Sequence, residues 1–354
     1  MPRFAGGSAS GAELAAGFAV IDLGGSAPKT PLLGATLDGS ARILLGMSRF
    51  ATIDVGSNTV LLLVAERRGE GFAPLVERAE ITRLGRGVDA TRRLDPQAIR
   101  GTVEVLARYA AEARALGARE IACVATSAAR DAENGADFFA AAQAAAGLVP
   151  EVISGEEEAR LVWASAWRDF GAKAGSLAVL DVGGGSTEIV VGSGPAPSAR
   201  RSLQVGAVRL TERARPPDPP GQAALADLRA RAAATLAEAR DLVAGPRPAA
   251  LVGVAGTVTT LAAVERALPV YDAGVVHGAE MTRAALEALL ARLSALTTAE
   301  RARLPGMEPK RADVIVAGAA IVLESMYLLA FDRLTVSDRG VRWGLLHERF
   351  GGLG

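Results

Sequence analysis

The chain has 354 residues, half of them apolar, with 39 basic side chains balanced by 39 acidic ones. That length suits two domains of ordinary size, and the apolar fraction excludes a disordered chain. Zero net charge argues against duplex nucleic acid as a partner, and the single cysteine, Cys123, excludes an internal disulfide framework and fits a reducing, cytoplasmic setting.

Residues 1–46 are rich in Gly, Ala and Ser and show weak periodicity. Glu13 and Asp22 interrupt any apolar signal core. The pattern restarts at Met47, so the expectation is that Met47 is the natural initiator and that residues 1–46 are a flexible extension or a start-site artefact. Residues 50–54 then read as a buried strand, Gly56-Ser57-Asn58-Thr59 as a turn and 60–66 as the return strand of a hairpin. A loop over 81–89 carries Arg83 and Arg86. Asp95 caps the next helix, Pro96 suits its first turn, Gly117 closes it, and Ile99, Val103, Leu106 and Ala110 form its apolar face. Strands at 121–125 and 149–153 alternate with helices at 136–146 and 156–167, which implies an α/β fold.

The opening pattern then returns. Residues 177–181 form a strand, Gly183-Gly184-Gly185-Ser186-Thr187 a turn and 188–191 the return strand, so strand, Asp-x-Gly, turn and strand occur at both Asp54 and Asp181. Such a repeat predicts a duplicated domain, with copies at 47–170 and 171–354 flanking a cleft. The second copy continues with a proline-rich break at 215–221, an Ala-rich helix over 222–243, a strand at 251–254 and a glycine turn at Gly256-Thr257. The apolar run 314–330 is interrupted by Glu324 and is short for a bilayer span, so it reads as a buried helix rather than a membrane segment. A last strand is expected at 334–336.

Glycine directly after a strand lets backbone N–H groups converge on an anion, and Ser57, Asn58, Ser186 and Thr187 add side-chain donors. Asp54 and Asp181 cannot bind phosphate directly, because like charges repel. They suit a hard cation that bridges to phosphate, and Glu188 could share that role. Either turn alone reads equally as a plain hairpin; two copies in one order favour phosphate. Neither matches a P-loop or a dinucleotide fingerprint. In 125–134, Arg130 could grip phosphate in bidentate fashion or be a solvated charge behind a helix cap. Three glutamates, Glu156 to Glu158, suit a helix N-terminus and equally suit a base for hydrolysis; spacing alone does not choose. The histidines His277 and His347 lie far apart in the sequence and give a zinc cluster no support.

Taken together, Ile53-Asp-Val-Gly-Ser-Asn-Thr59, Ala125-Thr-Ser-Ala-Ala-Arg130, Ile153-Ser-Gly-Glu-Glu-Glu-Ala-Arg160, Leu180-Asp-Val-Gly-Gly-Gly-Ser-Thr-Glu188 and Gly253-Val-Ala-Gly-Thr257 resemble the exopolyphosphatase/guanosine pentaphosphate phosphatase family of the actin-like superfamily over residues 47–350. The resemblance implies two duplicated actin-like, ribonuclease H-like domains whose last helix packs back on the first domain, with a hinge near 170–175. It implies release of the terminal phosphate of polyphosphate or the 5′ γ-phosphate of pppGpp, using Mg2+ or Mn2+. Catalysis would fall to Glu157, with Glu156 and Glu158 as alternatives, together with Asp54, Asp181 and Glu188 as metal and water-organising acids. Gly56, Ser57, Asn58, Gly183, Gly184, Gly185, Ser186, Gly256, Thr257 and Arg130 would bind phosphate, and Arg83 and Arg86 are added as anion contacts along the cleft. A homodimer is carried as a further partner. Longer members continue into a helical domain without counterpart here, which leaves long polymer, short oligomer and alarmone open as substrates. A non-catalytic phosphate or alarmone sensor on the same fold is the alternative, and a base in the glutamate run argues for the enzyme. A kinase is the third reading, with only the turn at 253–257 hinting at a nucleotide pocket.

Overall fold

A computed structural model describes residues 48–352. The expectation for residues 1–46 lies outside the described residues. Strand β1 (Arg49–Val55) pairs antiparallel with β2 (Thr59–Arg68), which pairs with β3 (Gly71–Ile81); β4 (Ala118–Ala125) and β5 (Glu151–Val152) add in parallel, giving the order β3-β2-β1-β4-β5. The second sheet repeats the plan. Strands β6 (Leu177–Val182), β7 (Thr187–Gly192) and β8 (Ala199–Leu203) form the antiparallel part, while β9 (Ala250–Val254) and β11 (Arg333–Val336) add in parallel. Strand β10 (Glu280–Thr282) pairs antiparallel with β11 and completes six strands.

The expected hairpins and helices recur with shifted ends. Asp95 caps the helix Pro96–Ala115 by accepting from Gln97 and Ala98 N–H at 2.8 and 3.0 Å. The first hairpin, expected to end at 66, runs to Arg68 and is followed by a strand, β3, that the sequence pattern does not predict. That edge strand exposes Pro74, Leu75, Arg78 and Ala79 and buries only Ile81, so it lacks the apolar alternation that marks a half-buried strand. The expected strand over 149–153 shrinks to two exposed residues in β5, again at a sheet edge. The apolar run becomes the buried helix Ile315–Leu328, and none of the helices among the described residues is long and apolar enough to cross a membrane.

Two helices exchange lobes. Gly155–Ala166 follows the first sheet in sequence, yet buries Leu161, Val162 and Trp163 with Leu177, Val179 and Val190 of the second. The C-terminal helix Val341–Phe350 returns to β1, where Phe350 stacks on Phe50 at a ring separation of 4.4 Å. Thr52 on β1 donates its hydroxyl to the Arg342 carbonyl at 2.9 Å. The exchanged helices cross where Gly344 lies against the Leu161 carbonyl, and a Cβ there would overlap that oxygen.

Replacing Gly with Ala inside a helix ordinarily stabilises by up to about 1 kcal/mol. At Gly101, within Pro96–Ala115 and with open space around the missing Cβ, Ala is expected to raise the thermal midpoint. At Gly344 the overlap forces the crossing apart, and Ala should cost about 1–3 kcal/mol. Thermal unfolding of the two variants checks the contrast in sign.

Candidate active site

Each half of the molecule ends its first strand in the same tight turn. Gly56 N–H donates to the Thr59 carbonyl at 3.0 Å, and Gly183 N–H donates to the Ser186 carbonyl at 3.1 Å. A Cβ on either glycine would press on that carbonyl, at 3.1 and 3.2 Å, which is why both positions favour glycine. The turns face each other across the cleft: a Cβ on Gly184 would lie 3.1 Å from the Asn58 Cβ, and one on Gly185 would lie 2.9 Å from Ser57 Oγ and 2.5 Å from Ser127 Oγ. The lobes are therefore closed on each other at the turns.

The second turn has a further support. At the start of the helix Ala207–Ala214, Ala207 N–H donates to the Gly183 carbonyl at 2.9 Å, while Val208 and Arg209 N–H donate to that of Gly184 at 2.9 and 3.1 Å. Gly206 permits the approach, since a Cβ there would sit 2.5 Å from the Gly184 oxygen. The start of this helix thus fixes the Gly183 and Gly184 carbonyls.

Four buried carboxylates gather beneath the turns. Asp54 lies near the end of β1, Asp181 near the end of β6, and Glu188 directly opposite Asp181 on β7. The fourth is Glu158, on the first turn of Gly155–Ala166. Burial pushes Asp54 up to about 7, with Arg342 pulling the other way. Burial likewise lifts Glu188 to about 7, against hydrogen bonds from Ser202 and Ser186. Asp181 is raised by burial and then by the charges of Glu188 and Asp54, and Glu158 by burial and then by Glu188, Asp181 and Asp54. Asp54 Oδ1 and Glu158 Oε2 are buried without a hydrogen-bond partner.

The glutamate run thus divides three ways. Glu156 pairs with Arg200 at 2.7 Å, and Glu157 pairs with Arg160 at 2.6 Å, which holds its carboxyl below the usual range. Glu158 alone turns into the cleft, 3.6 Å from Arg130. The expected base, Glu157, lies on the outer face of the helix, where Arg160 neutralises its side chain. The phase of the apolar stripe carries the reason. Glu158 lies on the face of Leu161, Val162 and Ser165, whereas Glu157 shares the opposite face with Arg160. Gly155 sets the depth, because a Cβ there would overlap Ser202, whose hydroxyl donates to Glu188 at 2.7 Å.

Arg130 donates to the Ile153 carbonyl at 2.9 Å and keeps Nη2 buried and unpartnered beside Glu158. Gly256 and Thr257 open the helix Ala255–Glu265 at the end of β9, where the helix N-terminus favours anions. The Thr257 side chain, however, packs against Gly318. Arg83, expected as an anion contact along the cleft, is engaged across the lobes, with Asp313 at 2.9 Å and the Lys310 carbonyl at 2.7 Å. Arg86 is exposed and lines a separate groove with Thr91, Arg93 and Asn134, away from the turns. Sequence reasoning missed Arg311, whose guanidinium lies against Gly256 and donates to Thr59 Oγ1 at 3.2 Å. Burial lowers it to about 10, which leaves it charged at neutral pH.

Among the described residues no three His, Cys, Asp or Glu side chains converge into a metal cage. The donor set nevertheless suits a hard cation that keeps most of its waters and takes one or two carboxylates, as Mg2+ does. Asp54, Asp181 and Glu188, with an orphaned oxygen on Asp54, would supply the negative charge for it once deprotonated.

Two sheets of one plan, each offering a strand-end Asp and a glycine turn to a shared crevice, define a two-lobed actin-like fold built to handle phosphate. The chain belongs to the Ppx/GppA phosphatase family, whose model matches residues 63–351. It is 38% identical over 315 residues to exopolyphosphatase 2 of Mycobacterium tuberculosis, across 85% of this chain and 98% of that one. Exopolyphosphatase 1 of the same organism is 34% identical over 300 residues, covering 84% and 87%. The crystal structure of the Aquifex aeolicus Ppx/GppA family member superposes with a TM-score of 0.72 at 33% identity, over 86% of this chain and 97% of that chain.

A carboxyl raised by folding binds protons that the unfolded chain has released, so it lowers stability above its folded pKa and regains it as pH falls towards the unfolded value. Asp54→Asn should therefore be more stable than wild type at pH 8, in chelator, by on the order of 1–3 kcal/mol. The margin should shrink as pH falls through 7 towards 4. His277 and His347, lowered chiefly by burial, act in the opposite sense below 6.5 but cancel in this difference. Paired denaturation curves across that range measure it.

Proposed function

We propose that this chain releases the terminal phosphate of inorganic polyphosphate by in-line attack of water, with Glu158 as the general base. The observation that carries this reading is Glu158 itself: a buried carboxylate with a raised pKa and an unpartnered oxygen, beside two glycine turns and Arg130. A base needs high proton affinity and a free lone pair; burial among like charges raises the first, and Oε2 has no hydrogen-bond partner. The turn amides and Arg130 would hold the terminal phosphate, Arg130 through its free Nη2. Water oxygen would bond to phosphorus as the bridging P–O bond breaks, and the water proton would pass to Glu158 Oε2. Mg2+ at Asp54, Asp181 and Glu188 would neutralise phosphate charge.

The exopolyphosphatases similar to this chain support polyphosphate as the substrate class. The same chemistry would serve the 5′ γ-phosphate of pppGpp, since only the anhydride end needs to enter the turns. Phosphate release from long polyphosphate, tripolyphosphate and pppGpp, each with and without Mg2+, ranks the substrates. Binding without release from all three would overturn the hydrolase and leave a sensor. Glu158→Gln should lower turnover by about 10²–10⁴-fold, while Glu157→Gln should stay within a few-fold of wild type. Equal losses in the two would refute the assignment of the base.

A further inference from the structure

One side chain belongs to neither the carboxylate cluster nor the turns, yet touches both lobes at the cleft. Arg209, on the second lobe's helix Ala207–Ala214, is buried. Its Nε donates to the Gly185 carbonyl at 2.7 Å, on its own lobe. Its Nη1 donates to Asp89 at 2.6 Å and its Nη2 to Asp131 at 2.5 Å, both on the first lobe. Ser127 Oγ lies 3.4 Å from the same Nη2.

Gly185 carries the remaining carbonyl of the glycine run. Those of Gly183 and Gly184 are already engaged by the backbone amides of the same helix. Only the Gly185 carbonyl relies on a side chain, and it shares a peptide plane with the Ser186 amide. Asp131, for its part, ends the short helix Ser127–Asp131 that carries Arg130. A planar guanidinium with a forked donor set can satisfy these partners together only from one orientation. Two of its anchors lie on the opposite lobe, so that orientation exists only when the lobes are closed.

We propose that Arg209 is a positioning residue that couples lobe closure to completion of the phosphate cradle: closure docks its guanidinium on Asp89 and Asp131, and docking fixes the Gly185–Ser186 peptide with its amide towards phosphate. The same helix strengthens the latch one turn on. Glu212 accepts from Gly87 N–H at 3.0 Å, and Arg213 grips Asp89 with two bonds of 2.7 Å. Positions 209, 212 and 213 share one helix face, so the face closes as a unit. When the lobes part, the charge on Arg209 returns to water and the Gly185 carbonyl loses its donor. A phosphate end held in the open form would then lie in an incomplete cradle. The consequence for the reaction rests on the proposed hydrolase; the closure itself does not.

Two readouts separate these. For turnover on tripolyphosphate, Arg209→Met should lower kcat on the order of 10²-fold, the size of a small misplacement in a preorganised site, with KM shifted far less. Arg209→Lys keeps the charge without the fork and should recover only part of the loss. Asp131→Asn should lower kcat as well, and adding it to Arg209→Met should cost little more, because groups that act as a unit are not additive. Arg231→Gln, an exposed ion pair elsewhere on the second lobe, serves as the folded control with wild-type kcat. Multiplicative losses from Arg209→Met and Asp131→Asn, or a wild-type kcat in Arg209→Met, would overturn the coupling. The second readout needs no turnover: small-angle scattering of each full chain, with and without saturating tripolyphosphate. Arg209→Met should shift the ligand-bound population towards the wider form, and a bound shape identical to wild type would overturn the latch. If wild type releases no phosphate yet Arg209→Met still opens, the hydrolase reading fails alone.

Discussion

Negative charge buried in one crevice is the constraint to which the rest of this molecule answers. Asp54, Asp181, Glu188 and Glu158 are removed from water in one crevice, and each raises the cost of the next. Such a cluster weakens the ligand-free fold, a trade common where chemistry demands an environment that packing alone would avoid. Counter-charge comes from several directions. Arg130 reaches Glu158, Arg342 faces Asp54, and Arg311 stands at the far end of the cleft beside Gly256. The glycine turns add amides that carry partial charge but need no counter-ion, which makes them compatible with carboxylates close by.

Duplication supplied the frame, and departures from symmetry supply the chemistry. Asp54 and Asp181 stand two residues before equivalent glycines. The residue across the ladder is Leu61 in the first lobe and Glu188 in the second. The extra acid thus belongs to one half only, and that is the half against which Gly155–Ala166 packs, bringing Glu158 to it. Arg342 comes from the C-terminal helix, which also receives a hydroxyl hydrogen bond from Thr52 two residues before Asp54. Elements that join the lobes are therefore also the elements that set the charges between them.

The two strand-end aspartates, Glu188 and both glycine turns were legible in the sequence because strand, turn and strand are local. Their position follows once the first strand is recognised. The choice within Glu156, Glu157 and Glu158 required the rotational phase of a helix that buries itself in the other lobe. The spacing from Glu158 to Leu161, Val162 and Ser165 held that phase, but three adjacent acids at a helix start masked it. Arg209 and Arg311 were out of reach for a different reason. Each acts across the cleft, on partners from 78 to 252 residues away in the chain, and no local pattern marks such a contact. For Arg83, glycines around an arginine suggested an anion contact, and the partner it meets, Asp313 of the opposite lobe, lies 230 residues away.

The exchanged helices have a consequence for how the polypeptide can be divided. A cut in the connection between Gly155–Ala166 and β6 would leave one fragment ending in a helix with Leu161, Val162 and Trp163 bare. The other fragment would hold a sheet lacking its cover and a terminal helix whose Phe350 had lost Phe50. Neither piece would be self-sufficient, yet their uncovered faces are mutually complementary. Mixed as separate chains, the halves would assemble by completing one another, and recovery of one would depend on the concentration of the other.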